Sequence, residues 1–356
     1  MPLIQPLISS EIDVIGDVHG EIGALCSLLE QLGYDGNGNH PKNRKVIFVG
    51  DLIDRGPDSL AVFYLVKNLV EKGNAQTILG NHELNLLIPA DRSAPLIPKK
   101  KHGNHWYHEL PEDMIETATS AAQFQRLATE KDRESIRSFL YKLPLALENN
   151  DIRIVHACWD SSAISQLRDN NYSALEVLQQ YEDIIQAKTF SSKLERTLAK
   201  QNQNPIKILT SGKEELLGKS EKEYFTGGKW RRTKRSQWWR HYNEKQFVVF
   251  GHYWRVLPPK EDLHGQPIPE DMLQIGNKKN IPPLFEEKDP YALLGAIQNC
   301  MCIDYSVGRR FWERYNQFPL GSTGTALAAL RFHQKYDKQE VSLLFESGLE
   351  KHLTKK

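Results

Sequence analysis

Five short polar signatures each follow directly on an apolar, β-like run, and this repetition constrains the chain more than any other feature. They are Gly16-Asp17-Val18-His19-Gly20, Gly50-Asp51-Leu52-Ile53-Asp54-Arg55-Gly56, Gly80-Asn81-His82-Glu83, Val155-His156-Ala157 and Phe250-Gly251-His252. A fold that ends strand after strand in Asp, Asn and His gathers oxygen and imidazole ligands at one edge of a sheet, where two divalent metals can be held. The chemistry this implies is metal-assisted hydrolysis of a phosphate ester.

The apolar runs set the elements. Residues 12–15 suit a strand, and Ile22, Leu25, Cys26, Leu29 and Leu32 then recur at helical spacing up to Gly33. Val46–Val49 is a second strand, Leu60, Phe63, Val66, Leu69 and Val70 mark a helix, and Gln76–Leu79 is a third strand. This βαβαβ unit puts the first three signatures beyond the carboxyl ends of its strands, where such sheets collect ligands. Strands at 152–155 and 247–250 each end in a His again, and a last strand-rich block spans 301–303, 326–332 and 341–345. Residues 84–147 and the helical, polar 161–240 read as cap insertions over the metal edge, and the proline-rich, charged 256–290 as a surface loop. The fold class is α/β, read as one domain over 1–356.

With 356 residues, 40% of them hydrophobic, the chain can bury a large core, and a formal net charge of +1 gives no global pull toward nucleic acid or membrane. Cys26, Cys158, Cys300 and Cys302 show no disulfide framework, and Cys300-x-Cys302 reads as a buried strand pair. No apolar stretch approaches the ~20 residues that span a bilayer, and the N-terminus has no leader pattern. The expectation is a cytoplasmic protein without an obligate protein partner.

The order of the signatures resembles the calcineurin-like metallophosphoesterase superfamily, within it the phosphoprotein phosphatase branch, known by GDxHG, GDxxDRG, GNHE or GNHD and two later His motifs. Leu32-Gly33-Tyr34 and His40-Pro41 are also similar to the phosphatase domain of bacterial polynucleotide kinase-phosphatases and to symmetrical diadenosine tetraphosphate hydrolases. The resemblance implies a β-sandwich flanked by helices with a helical cap. It implies that Asp17 and His19 bind one metal, that Asp51 bridges two, and that Asn81, His156 and His252 bind the second. A shared carboxylate is needed because two dications ~3.5–4 Å apart repel strongly. A hydroxide between the metals would be the nucleophile, His82 the general acid oriented by Asp54, and Arg55 the phosphate clamp. Oxygen and imidazole ligands without thiolate favour manganese, iron or zinc. Arg231, Arg232 and Arg255 are candidates for a second cationic clamp.

Each assignment has a plainer competitor, since an Asp after a strand is usually a turn or cap residue. Five signatures in order outweigh it. The fourth and fifth depart from the family: His156-Ala157-Cys158-Trp159 stands for the usual His-Gly-Gly, and Gly251-His252-Tyr253-Trp254 for the commoner Gly-His-Thr. Two segments, 99–108 and 229–240, interleave cations with Trp and suit either nucleotide stacking or an amphipathic cap whose Trp residues enter the core. The expected activity is that of a phosphomonoesterase of the serine/threonine protein phosphatase type, toward which Glu83 leans. Hydrolysis of dinucleoside polyphosphates or of nucleic-acid ends is the alternative. A non-catalytic binding protein on the same fold would show a broken ligand set, and none of the six positions is broken.

Overall fold

The computed structural model describes residues 2–88, 106–107, 125–226, 229–258, 284–285, 289–335 and 338–354. In chain order the strands begin with β1 (Ile4–Pro6), β2 (Ile12–Ile15), β3 (Lys45–Phe48), β4 (Ala75–Thr77), β5 (Ala146–Glu148) and β6 (Ile152–Val155). Four short ones follow, β7 (Glu214–Leu216), β8 (Tyr224–Thr226), β9 (Lys229–Arg231) and β10 (Thr233–Arg235). The series ends with β11 (Phe247–Phe250), β12 (Cys300–Cys302), β13 (Ala328–Lys335), β14 (Lys338–Phe345) and β15 (Glu350–Leu353). The helices are α1 (Ile22–Leu32), α2 (Ser59–Glu71), α3 (Asn81–Leu87), α4 (Glu130–Leu140), α5 (Ser161–Arg168), α6 (Ala174–Gln186), α7 (Lys193–Asn202), α8 (Pro205–Ser211) and α9 (Arg310–Tyr315).

Two sheets carry the site. One runs β1-β5-β6-β11-β12 and the other β15-β14-β13-β2-β3-β4. Pairing is parallel through β6-β11-β12 and through β2-β3-β4, so each sheet contributes three adjacent strands pointing the same way. Alternate residues of these strands part to two cores. Val14, Ile47 and Val49 meet Ile154, Val249 and Met301 between the sheets, whereas Ile15, Val46 and Phe48 pack with Leu25, Leu28 and Phe63 of α1 and α2. Burial on both faces explains why these runs read as continuous apolar stretches. The result is the α/β arrangement expected, a sandwich flanked by helices.

Helix ends fall where local chemistry puts them. Gly33, at φ 91°, closes α1 in the left-handed conformation and its N–H reaches back into the last turn. Asp58 opens α2 by accepting from the N–H of Ala61.

The insertion after β6 differs from its uniformly helical reading. It is helical through α8, but residues 214–235 form two antiparallel hairpins, β7 with β10 and β8 with β9. These three-residue strands are too short to show a hydrophobic alternation. They are held by pairs across the ladder, with Thr233 Oγ1 donating to Glu214 at 2.7 Å and Lys234 lying 3.5 Å from Glu215. Strands β1, β5 and β15 also escape a reading based on long apolar runs. Much of the first insertion, and residues 259–283 of the proline-rich loop, lie outside the described residues.

A buried charge cluster ties β2 to its neighbours. Asp13, fully buried, meets Arg44 Nε at 3.0 Å and Arg331 Nε at 2.8 Å and accepts from the Tyr34 hydroxyl at 2.8 Å. Burial works upward on its carboxyl, but Arg331 and Arg44 together hold it below its ordinary value of 3.8. A depressed carboxyl stabilises the fold above its unfolded value, and that contribution is lost as pH falls through the folded one. Asp13→Asn should therefore lose about 3 kcal/mol at neutral pH by leaving two guanidinium groups short of an anion. Urea titrations should show the gap between wild type and variant closing below about pH 4.

Candidate functional site

Every signature sits just past the carboxyl end of a strand. Asp17 and His19 follow β2, Asp51, Asp54 and Arg55 follow β3, and Asn81 and His82 open α3 beyond β4. From the facing sheet, His156 follows β6 and His252 follows β11. The loops are tightly wound: His19, Asp51, Asp54, Arg55 and His252 all hold positive φ, between 47° and 73°. Left-handed backbone costs of order 1 kcal/mol or more at a non-glycine residue, and it persists here because packing leaves no other course. Gly251 and Gly308 show how close that packing is. A Cβ on Gly251 would stand 2.0 Å from Asp17 Oδ1, and one on Gly308 would stand 2.4 Å from the His19 ring.

Asp51 lies at the centre. His19, Asp51 and His82 offer ligand atoms all within 4.8 Å of one another, and so do Asp51, His156 and His252. Asp51 Oδ2 is 3.7 Å from His19 Nε2, and its Oδ1 is 3.4 Å from His156 Nε2. Asn81 Oδ1 completes the second group, 3.2 Å from His156 Nε2 and 2.7 Å from His252 Nδ1. Asp17 Oδ2 lies 4.0 Å from His19 Nε2 on the other side. Ring orientation is set from behind: His19 Nδ1 donates to the Ile53 carbonyl at 3.1 Å and His156 Nδ1 to the Val49 carbonyl at 2.8 Å. Each therefore turns an Nε2 lone pair toward Asp51.

The electrostatics are those of an anionic cluster taken out of water. Burial, with Asp304 and Asp51 nearby, pushes the Asp17 carboxyl well up. Burial acts the same way on Asp51, but His156 and His82 outweigh it and hold that group well below the usual carboxylate range. Burial and Arg55 push His19 well down, and burial and Arg235 do the same to His252. Burial works downward on His156 too, but Asp51 outweighs it and pushes that ring up. A charged Asp51 with neutral His19 and His252 suits divalent metals, and a metal at His156 would displace a proton there. The residues present fit a pair of such ions, with Asp51 shared. The free thiols stand apart: Cys302 is a buried strand residue whose Sγ donates to the Tyr253 carbonyl at 3.0 Å.

Beside the cluster lies a hydrogen-bonded His–Asp pair. His82 Nδ1 donates to Asp54 Oδ2 at 2.6 Å, and its Nε2 faces inward, 3.9 Å from Asp51. Arg55 spans two rings, with Nη1 3.1 Å from His19 Nε2 and Nη2 3.1 Å from His82 Nε2.

Three contributors carry no signature in the sequence. Trp106, buried, donates its indole N–H to the second oxygen of Asp54 at 2.7 Å. Asp304, just past β12, is buried with Oδ2 unpartnered, and burial pushes it up to about 6. Arg235 donates to the His252 carbonyl at 3.1 Å with its guanidinium over the Tyr253 ring. Only the strand-then-Asp pattern of Cys300-Met301-Cys302-Ile303-Asp304 hinted at one of them. Glu83, by contrast, has a clear structural role. It accepts from the N–H groups of Asp51, Leu52 and Gly80 at 2.7–3.0 Å, bracing the loop that presents Asp51.

The three arginines that were candidates for a second clamp have other contacts. Arg232 pairs with Glu223 at 2.7 Å on the surface, and Arg231 lies across from Tyr224 in the β8–β9 hairpin. Arg255 is buried over the Phe285 ring and donates to the Ala292 carbonyl at 3.1 Å. The segment 229–240 divides. Trp238 and Trp239 enter the core, Trp238 donating to the Ala157 carbonyl at 3.0 Å, while Trp230 stays 67% exposed. In 99–108 only Trp106 and Tyr107 belong to the described residues, and both are buried.

A fold with this edge and this ligand set defines a metal-dependent phosphoester hydrolase. The chain belongs to the calcineurin-like phosphoesterase family, whose model matches residues 10–279. It is 39% identical over 155 residues to the asymmetrical bis(5′-nucleosyl)-tetraphosphatase of Oceanobacillus iheyensis, a match over 41% of this chain and 56% of that one. It is 34% identical over 153 residues to the symmetrical bis(5′-nucleosyl)-tetraphosphatase of Aeromonas hydrophila, covering 41% and 45%. The chain thus spans about half the length of the curated relatives it matches. Among solved structures it is similar to a cold-active protein-tyrosine phosphatase of a Shewanella species, at TM-score 0.45 and 16% identity over 99% of this chain and 83% of that one. A serine/threonine phosphatase of Saccharomyces cerevisiae matches at TM-score 0.39 and 17% identity over 72% and 66%.

Two variants test the arrangement. Asp51→Asn should lose activity and most bound metal by elemental analysis, since one oxygen of the shared carboxylate becomes an amide; two metals per chain and near-normal turnover would refute the bridging role. Trp106→Phe keeps the ring and removes only the bond to Asp54. It should lower kcat about tenfold on alkyl phosphates, the usual scale for a group that orients another, and less on p-nitrophenyl phosphate, whose leaving group needs little protonation.

Proposed function

We propose that the protein hydrolyses the phosphate chain of dinucleoside polyphosphates at a dinuclear metal centre, with manganese as the leading choice and iron or zinc as alternatives. The observation that carries this reading is that Asp51 is shared by two ligand groups, with Arg55 against His19 and His82 of the first and Arg235 on the carbonyl of His252 in the second. A cation beside each group suits a chain of several phosphates better than a single phosphoryl group. The tetraphosphatase names of the relatives support the same choice. Glu83, the residue that leaned toward the serine/threonine phosphatase reading, braces the Asp51 loop and does not by itself favour either substrate.

In this reading Asp17, His19 and Asp51 hold one metal, and Asp51, Asn81, His156 and His252 the other. Bound divalent ions supply Lewis-acid polarisation of the phosphate and activation of water. The remaining steps fall to side chains. Arg55 and Arg235 bind and orient phosphate oxygens. His82, turned by Asp54 and Trp106, gives the proton at Nε2 to the departing oxygen, and the Asp54 carboxylate steadies the imidazolium before the proton leaves. The insertion over 161–240, proposed as a cap, brings Arg235 to this edge. Among the described residues no helix is long and apolar enough to cross a membrane.

The test is a manganese-reconstituted assay on diadenosine tetraphosphate, a phosphoserine peptide and a 3′-phosphorylated oligonucleotide. The tetraphosphate should lead by at least about tenfold in kcat/KM, and Arg235→Ala should raise KM for it more than for p-nitrophenyl phosphate. Preference for the peptide or the oligonucleotide would overturn the substrate assignment while leaving the hydrolase class intact.

A further inference from the structure

Arg55 is a long side chain on a strained backbone, with φ 71° following 73° at Asp54. A free guanidinium on such a stem samples many rotamers, and a clamp is useful only when its fork is already aimed. Two contacts restrict it. Its stem runs over Gly308, where an added Cβ would come within 3.1 Å of Arg55 Cδ. Its guanidinium carbon stacks on the ring of Trp254, 4.8 Å from the centroid. Trp254 is 36% exposed, a costly setting for an indole unless its face is used. The ring is also well supported. It follows His252 by two residues, and the intervening Tyr253 is buried against His252, Phe250 and Trp239, with ring centroids 5.3–5.7 Å apart.

We propose that Trp254 is a positioning residue for the phosphate clamp: its indole face holds the Arg55 fork over His19 and His82, so that tryptophan and arginine bind phosphate as one unit. The proposal rests on the reading of Arg55 as a phosphate-binding residue. Trp254 directly follows Tyr253, the position where this chain departs from Gly-His-Thr. The clamp is then built from three strand ends, with Arg55 after β3, Trp254 after β11 and Gly308 after β12. Stacking of a guanidinium on indole corresponds to a loss of about three- to thirtyfold in phosphate affinity when the ring is removed. Trp254→Phe, which keeps an aromatic face, should recover most of it.

The test is a double-mutant cycle on the manganese-loaded protein, using Trp254→Ala, Arg55→Ala and the pair, with Trp254→Phe beside them. Orthophosphate binding is read by calorimetry and by competitive inhibition, and bound metal by elemental analysis. Trp254→Ala should weaken orthophosphate three- to thirtyfold with metal content unchanged, and should add nothing once Arg55 is Ala. If Arg55→Ala leaves orthophosphate binding intact, the clamp reading itself fails and the proposal with it. If Arg55→Ala weakens binding but Trp254→Ala does not, or Trp254→Ala acts equally without Arg55, the coupling is absent and only the proposal falls. A Trp254→Ala loss confined to diadenosine tetraphosphate would make the ring a base-stacking platform and overturn the positioning role. Loss of metal in that variant would make it a support of the His252 turn and do the same.

Discussion

Asp17, Asp51 and Asp304 are three carboxylates buried side by side, and the rest of the structure answers to that constraint. Like charges out of water repel strongly and their desolvation is expensive, so the cluster is stable only with cations or protons among them. Burial pushes Asp17 and Asp304 up, with neighbouring carboxylates adding to it, and pushes His19 and His252 down, with Arg55 and Arg235 adding to it. Two divalent ions would offset the repulsion among the carboxylates and find His19 and His252 already neutral. Metal binding is therefore coupled to the fold of the site as well as to chemistry.

Holding those groups together requires backbone that ordinary loops avoid. The left-handed residues gather at this edge, and glycines stand wherever two loops touch, as Gly251 does against Asp17 and Gly308 against His19. The sandwich supplies rigidity to match. Three parallel strands from each sheet end at the same edge, and His156 is anchored across the gap to the carbonyl of Val49 in the opposite sheet. Farther along β2, the Asp13 cluster joins that strand to β13 and to the segment before β3, steadying the strand from which Asp17 projects.

Much of the ligand set was legible because each ligand follows an apolar strand within a few residues. Local sequence dictates both the strand and the residue after it. The same logic located β2, β3, β6 and β11 to within a residue or so. It failed for β7 to β10, three-residue strands too short to carry a pattern, which pair through charge, hydroxyl and aromatic contacts that exist only when the partner strand is present. It did not show what Glu83 touches: its carboxylate braces the Asp51 loop through three backbone N–H groups.

The sequence by itself determined which polar residues follow the strands, since that depends on short-range pattern, and the order of those signatures carried the resemblance to the family and its sandwich. Tertiary structure decided which groups serve those residues. Trp106 reaches Asp54 from 52 positions away, Trp254 meets Arg55 from a different sheet, and Arg235 bonds the His252 carbonyl while Arg232 pairs with Glu223 and Arg255 packs on Phe285. An arginine or tryptophan in an insertion has the same local sequence signature whether it faces solvent, core or substrate. Only the packing of one loop on another chooses among them, because the free energy that sets its direction comes from partners that are neighbours in space and not in the chain.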